Sequence, residues 1–209
     1  MDAMDYLSYL VNVIHTAVVA TADDEGRPVT AAIDLMDADD GGVYFLTARG
    51  KGFYDRLKKR GELALTGIKG SDTMHSAAIS LSGEVRELGS SLIPRLFEKN
   101  PYMNEIYPDA ESRSILTVFV IYSGHGEWFD LSKKPIERDS FSFGGAWNAD
   151  DGFFIDNRCT GCGLCLSGCP QKCIDPSAVP FVIRERNCLH CGLCAEVCPS
   201  GAVVRRRRA

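Results

Sequence analysis

Cys159-Thr-Gly-Cys162-Gly-Leu-Cys165-Leu-Ser-Gly-Cys169-Pro170 and Cys188-Leu-His-Cys191-Gly-Leu-Cys194-Ala-Glu-Val-Cys198-Pro199 decide how the chain is read. Both follow C-x2-C-x2-C-x3-C-P. Shifting the chain by 29 residues lays Cys159 on Cys188, Leu164 on Leu193, Pro170 on Pro199 and Ile174 on Val203. Three thiolates on a C-x2-C-x2-C loop wrap one iron–sulfur cube, and the helical turn that follows carries the fourth cysteine away from it. In two-cluster proteins that fourth cysteine serves the other cube. The spacing therefore predicts one cluster on Cys159, Cys162, Cys165 and Cys198, and a second on Cys188, Cys191, Cys194 and Cys169. Gly163 and Gly192 stand at matching places, where the lack of a Cβ lets backbone approach sulfide. Pro170 and Pro199 end the turns.

Zinc ribbons pair C-x2-C knuckles rather than triplets. A disulfide framework wants an even cysteine count and a secreted context, whereas this chain has nine cysteines. The ninth, Cys173, is expected as a small buried apolar residue beside a cluster and not as a ligand.

All nine cysteines lie after position 158, so composition itself marks a domain boundary. The last sixty or so residues are too few and too polar for an ordinary core, and metal must supply folding free energy there. Over about residues 152–205 the chain resembles the bacterial two-cluster ferredoxin module. That resemblance implies low-potential, one-electron transfer.

Charge divides the same way. Residues 1–150 carry 15 Lys+Arg against 23 Asp+Glu, and residues 151–209 carry 8 against 5, four of those cations being Arg205–Arg208. Each oxidised [4Fe–4S] cluster with its four thiolates subtracts about two charges, leaving the loaded module near neutral. The arginine tail is read as solvated, and an overall acidic chain argues against a nucleic-acid partner. No apolar run approaches about 18 residues, so no membrane span is expected. The start, Met-Asp-Ala-Met-Asp, has no basic n-region. Thiolate-held clusters need a reducing compartment, and a cytoplasmic protein of a cell living at low oxygen is expected.

The first three-quarters read as short strands with few helices. Residues 3–14 have helical spacing. Strands are expected at Thr16–Ala22, Pro28–Met36, Val43–Thr47, Leu63–Ile68, Ala77–Leu88, Ser114–Ile121 and Gly126–Leu131. A helix spans about 52–60 with a basic face of Arg56, Lys58, Lys59 and Arg60, and broken helices span 90–106. The fold class is α+β: an antiparallel β-barrel with the small C-terminal ferredoxin-like two-cluster domain that the resemblance above implies. The expected divisions are a barrel over 1–131, a linker or wrapping arm over 132–151, and the cluster domain with its basic tail over 152–209.

Within the barrel, Phe45-Leu-Thr47-Ala-Arg49-Gly50-Lys51-Gly52-Phe53 has the parts of a phosphate cradle. A strand ends, a hydroxyl and two cations follow, glycines open the backbone, and helix-start N–H groups come next. The G-x4-G-K-[ST] spacing of a P-loop is missing. With the Asp-Glu-Gly-Arg-Pro hairpin before it and Leu63-Ala-Leu-Thr-Gly67 after, the stretch resembles the pyridoxamine-5′-phosphate-oxidase-like flavin-binding split barrel over about residues 3–131. The resemblance implies a homodimer with FMN at the subunit interface. Thr47, Arg49 and Lys51 would meet its phosphate, and the backbone of Thr30, Ala31 and Ala32 the flavin ring. Trp128 stands either at the ring edge or in the core. Haem or a deazaflavin is the alternative ligand. Pyridoxamine phosphate oxidation itself is not expected, because a substrate-phosphate pattern is missing and clusters tolerate oxygen badly.

The four histidines share no metal-ligand spacing. His190 lies inside a cluster loop, and His75 with Asp72 could donate protons near a flavin. Clusters move single electrons, whereas FMN handles one or two. The expectation is thus an FMN-dependent oxidoreductase in which an external donor, a redox protein or a nicotinamide, feeds the clusters and a small substrate is reduced. An electron-transfer subunit without a substrate site is the alternative.

Overall fold

The computed structural model describes residues 1–146 and 152–206. The chain folds as two compact units. The first holds Met1–Ser71, Ala78–Glu127 and the chain from Phe141; the second holds Asp72–Ala77, Trp128–Ser140 and the cysteine-rich C-terminus.

The first unit opens with helix α1, Ala3–Tyr9, whose N-terminus is fixed by a reciprocal capping box between Asp2 and Asp5. A π-helical turn, Leu10–Ile14, follows. Next come β1 (Thr16–Ala22), β2 (Pro28–Asp39), β3 (Gly42–Ala48), α2 (Gly52–Arg60), β4 (Glu62–Gly70) and β5 (Ser76–Gly89). Three short helices, α3 (Ile93–Lys99), α4 (Met103–Ile106) and α5 (Ala110–Arg113), lead into β6 (Leu116–Asp130) and β7 (Glu137–Phe143). The sheet order is β3-β2-β1-β4-β5-β6-β7, and β3 also pairs with β6. Six strands therefore close into an antiparallel barrel, with β7 added beside β6.

Closure rests on β3 and β6. Their register sets Phe45 opposite Phe119, with the rings stacked at 5.7 Å. Tyr44, Val118 and Val120 turn the other way, into a second cluster with Ile93, Leu96 and Phe97 of α3. Both faces of these strands are covered, which is why their sequences read as unbroken apolar runs. On β4 one face only is buried, and Leu63 and Leu65 alternate with exposed Glu62, Ala64 and Thr66. At the other end of the first unit Tyr6 stacks on Phe141 at 4.9 Å.

Several sequence expectations need correction. The two strands expected at Ser114–Ile121 and Gly126–Leu131 are one strand, β6. Gly124 does not break it; a Cβ there would lie 2.7 Å from the Ser82 carbonyl oxygen, so the glycine serves close strand approach. Residues 132–151, expected as a linker or wrapping arm, contain β7; residues 147–151 lie outside the described residues. Contact grouping divides β6 after Glu127.

The second unit carries its repeat into structure. β8 (Phe153–Ile155), α6 (Leu164–Gly168) and β9 (Ile174–Asp175) recur 29 residues later as β10 (Val182–Ile183), α7 (Leu193–Glu196) and β11 (Val203–Arg205). The halves exchange partners: β11 pairs with β8 and β10 with β9, both antiparallel. No described helix is long and apolar enough to cross a membrane. Of the basic tail, Arg205 and Arg206 are described and Arg207 and Arg208 lie outside. Arg206 is not simply solvated: its Nη1 lies 2.7 Å from Glu185 Oε1.

Replacing Phe119 by Ala removes half of the closing ring pair and should destabilise the barrel by about 3–5 kcal/mol. Denaturant unfolding followed by far-UV circular dichroism checks this.

Candidate redox site

The nine cysteines form no disulfide. The loops that carry them are built alike. Gly163 and Gly192 both take φ +80° and start the turns of α6 and α7, a backbone conformation that a side chain would strain. The structure brings Cys159, Cys162 and Cys198 around Cys165, whose thiol is pushed up by burial and by those three neighbours. It brings Cys169, Cys188, Cys191 and Cys194 to one cavity of about 20 Å³, which Cys173 also lines. Burial, with Cys188 and Cys191 nearby, raises the Cys194 thiol to about 11. Cys198 thus leaves its own half for the first set, and Cys169 leaves its own for the second.

Among the described residues no three His, Cys, Asp or Glu side chains group closely enough to hold a single metal ion. A cubane asks for a different arrangement, with four thiolates apart around a cage and one to each iron. Two sets of four cysteines, one drawn from each loop triplet plus a crossing fourth, fit that demand. The buried thiols must lose their protons when metal binds, so cluster assembly releases protons.

Cys162 and Cys191 are the exposed members of the two sets. His190, between Cys188 and Cys191, takes φ +54° and sets its ring edge-on to Phe153 at 6.5 Å. Cys173 is buried at 4% exposure. Hydrogen bonds to Cys188 and Cys169, together with burial, push its thiol far up.

In the barrel unit, the expected cradle residues sit at the end of β3 and the start of α2. Thr47 lies opposite Thr117 on β6. The Thr117 hydroxyl donates to Glu87 Oε1 at 2.7 Å, whereas the buried Thr47 Oγ1 has no partner among the described residues. An unpaired buried hydroxyl costs about 1–3 kcal/mol, which makes this atom a candidate contact for a bound polar group. Arg49 donates to the carbonyl oxygens of Ser114 and Leu116, at 3.0 and 3.3 Å, and so also ties β3 to the start of β6. Lys51 is exposed at the N-cap of the nine-residue α2.

Thr30, Ala31 and Ala32 lie on β2 opposite Ala20, Val19 and Val18 of β1. The β2–β3 ladder ends at Leu35↔Phe45, and β3 itself ends at Ala48. Trp128 is buried in β6, at 7% exposure. Asp72 and His75 are 2.9 Å apart in an exposed turn. That turn groups with the second unit and not with the barrel residues.

The basic face of α2 is mostly spoken for. Arg56 donates to Thr21 Oγ1, Lys59 to Asp24 and Arg60 to the Asp23 carbonyl. Lys58 pairs with Glu87 at 2.9 Å. Burial alone would raise the Glu87 carboxyl, but Lys58, Thr117 and Tyr54 together hold it below the usual range. Sequence reading missed this hub and a second one. The Tyr102 hydroxyl donates to Asp34 Oδ2 at 2.8 Å and lies 3.1 Å from His15 Nε2. Neither has a local signal, because the partners are 30 and 68 positions apart.

Residues 158–202 match the 4Fe-4S dicluster domain family. Solved structures share the fold of the rest. A NimC/NimA family protein from Clostridium acetobutylicum matches with TM-score 0.55 and 16% identity, over 67% of this chain and 92% of that one. A protein from the same organism, related to general stress protein 26 of B. subtilis in the pyridoxinephosphate oxidase family, matches at 0.51 and 18%, over 66% and 92%. A heme binding protein from Mycobacterium smegmatis matches at 0.52 and 14%, over 68% and 59%. No curated protein matches the sequence. The chain is a split β-barrel of the pyridoxamine-phosphate-oxidase-like fold fused to a ferredoxin-type dicluster domain.

Thr47→Val keeps the shape of the side chain and removes the orphaned hydroxyl. Without cofactor this variant should be about 1 kcal/mol more stable than wild type, read from the midpoint of denaturant unfolding.

Proposed function

We propose that the chain is an iron–sulfur flavoprotein oxidoreductase that passes electrons between two [4Fe–4S] clusters and FMN and acts on a small substrate. Cys159, Cys162, Cys165 and Cys198 hold one cluster, and Cys169, Cys188, Cys191 and Cys194 the other. The observation that carries the reading is the crossing of Cys198 and Cys169 into each other's halves, the pattern of two interlocked clusters. When bound, the clusters supply single-electron transfer and the flavin converts between one- and two-electron chemistry.

For the flavin, Thr47 offers its unpaired hydroxyl to the phosphate, with Arg49 and Lys51 supplying charge and the start of α2 supplying N–H groups. The backbone of Thr30–Ala32 on β2 takes the ring. One of the similar structures belongs to the pyridoxinephosphate oxidase family and another is named a heme binding protein, so the identity of the ligand rests on this chain's own residues. A hydroxyl and two cations at a helix start favour a phosphate-bearing ligand.

The outer face of β1, β2 and β4 supports a homodimer. Val18 is paired with Ala32 on one side and Thr66 on the other, and all three are exposed and uncharged, Val18 at 55%. A second copy of the chain covers this face and completes the flavin site. The donor that feeds the clusters is a redox protein or a nicotinamide.

Protein purified without oxygen should contain about eight iron atoms per chain and release FMN on denaturation. Release of haem or a deazaflavin instead would sink the FMN assignment, and zinc in place of iron would sink the whole reading. Thr47→Val should weaken FMN binding about tenfold, the reverse of its effect on the cofactor-free protein. Val18→Arg should shift the protein to monomers in sedimentation and lower its flavin content. Cys191→Ser should slow flavin reduction by a cluster-specific donor in stopped-flow absorbance; an unchanged rate would rule out passage through that cluster.

A further inference from the structure

The 29-residue repeat departs from itself beside its two fourth cysteines. Four residues after Cys169 stands Cys173, whereas four residues after Cys198 stands Ala202. Both are buried, at 4% and 0% exposure. One half therefore carries a thiol where the other carries a methyl group. Cys173 Sγ lies 3.5 Å from Cys169 Sγ and lines the same cavity as the four cysteines of that set, Cys188 among them. In the other half the donor comes from a different position. Ser200 Oγ lies 3.5 Å from Cys198 Sγ, and the residue equivalent to Ser200 is Gln171.

A thiolate that ligates iron has no proton and can only accept a hydrogen bond. The proton in each pair then belongs to the residue outside the ligand set. Hydrogen bonds to cluster sulfurs are one of the protein's means of setting a reduction potential. They draw charge from the sulfur and favour the more negative, reduced cluster.

We propose that Cys173 and Ser200 are positioning residues that set the potentials of the two clusters separately. Cys173 donates its S–H to Cys169 at one cluster, and Ser200 donates its O–H to Cys198 at the other. The duplicated domain so carries two unlike one-electron sites, tuned by one side chain each and from non-equivalent positions. This rests on the two-cluster reading above.

The test is an anaerobic redox titration of the full-length protein, followed by electron paramagnetic resonance, with iron counted in every sample. Cys173→Ala places at this position the residue that the other half already buries, so packing is kept. This variant should retain about eight irons and lower one of the two potentials. Cys173→Ser should restore that potential or raise it, since a hydroxyl is the better donor. Ser200→Ala should lower the other potential, and Cys173→Ala with Ser200→Ala should lower both. The expected change is about three- to tenfold in the reduced-to-oxidised ratio at fixed potential, tenfold being 59 mV for one electron.

An alanine variant with unmoved potentials overturns the role of the residue it replaces. Loss of about four irons in Cys173→Ala overturns it too, because Cys173 would then be a ligand. Both single variants lowering the same potential would refute separate tuning. Wild-type protein with only about four irons would instead sink the two-cluster reading, and this proposal with it.

Discussion

Cys169 and Cys198 each abandon their own half of the repeat for the other, and the C-terminal unit depends on that exchange. Its buried core is half sulfur: Phe153, Ile174, Phe181, Ile183 and Val203 pack with Cys165, Cys169, Cys173, Cys188 and Cys194. Strands of two or three residues and helices of four or five cannot stand by burial alone. In the proposed ligand sets, thiolates drawn from both halves make each cluster a crosslink between them, so that metal binding becomes folding free energy. The pairing of β8 with β11 and of β9 with β10 is the backbone counterpart of the same exchange.

The barrel unit is held in the ordinary way, by apolar burial around a closed sheet. Its polar exceptions are concentrated and almost all paired. The Asp37 side chain, 6% exposed, meets both Arg95 and Lys99 and so anchors α3 against β2. A buried carboxylate of this kind is tolerated only with such partners. Glu87 is supported in the same way by Tyr54, Lys58 and Thr117. Against that background the unpaired Thr47 hydroxyl stands out, since folding alone gives no reason to bury it. It lies where β3 ends and α2 begins, the point at which backbone donors and two cations are also available.

Much of the fold was legible along the chain. The strand at Thr16–Ala22 and the helix over 52–60 were read with the ends that the structure gives them, because a Gly or charged turn closes each. Antiparallel barrel and cluster domain both followed from short-range pattern. The errors share a cause. Gly124 and Gly126 look like breakers in a linear reading, yet they are the price of close contact with β5 and leave β6 continuous. Residues Glu137–Phe143 have weak alternation and become a strand because β6 offers a free edge. The run over 90–106 divides into α3 and α4 near Pro101, and α5 follows unannounced as a single capped turn.

Sequence alone determined the class of chemistry, because the C-x2-C-x2-C-x3-C-P spacing is local and its geometry is set by a handful of backbone angles. It also determined where a barrel strand hands over to a helix, since Thr47, Arg49 and Lys51 fall within five residues of one another. Tertiary structure alone decided that Cys173 touches Cys169 and Cys188, that Thr47 lacks the partner which Thr117 has, and that Asp72 and His75 stand with the second unit. Those facts join residues far apart in the chain, and their physical cause is packing: which groups share a buried space, and which polar atoms that space leaves unpaired.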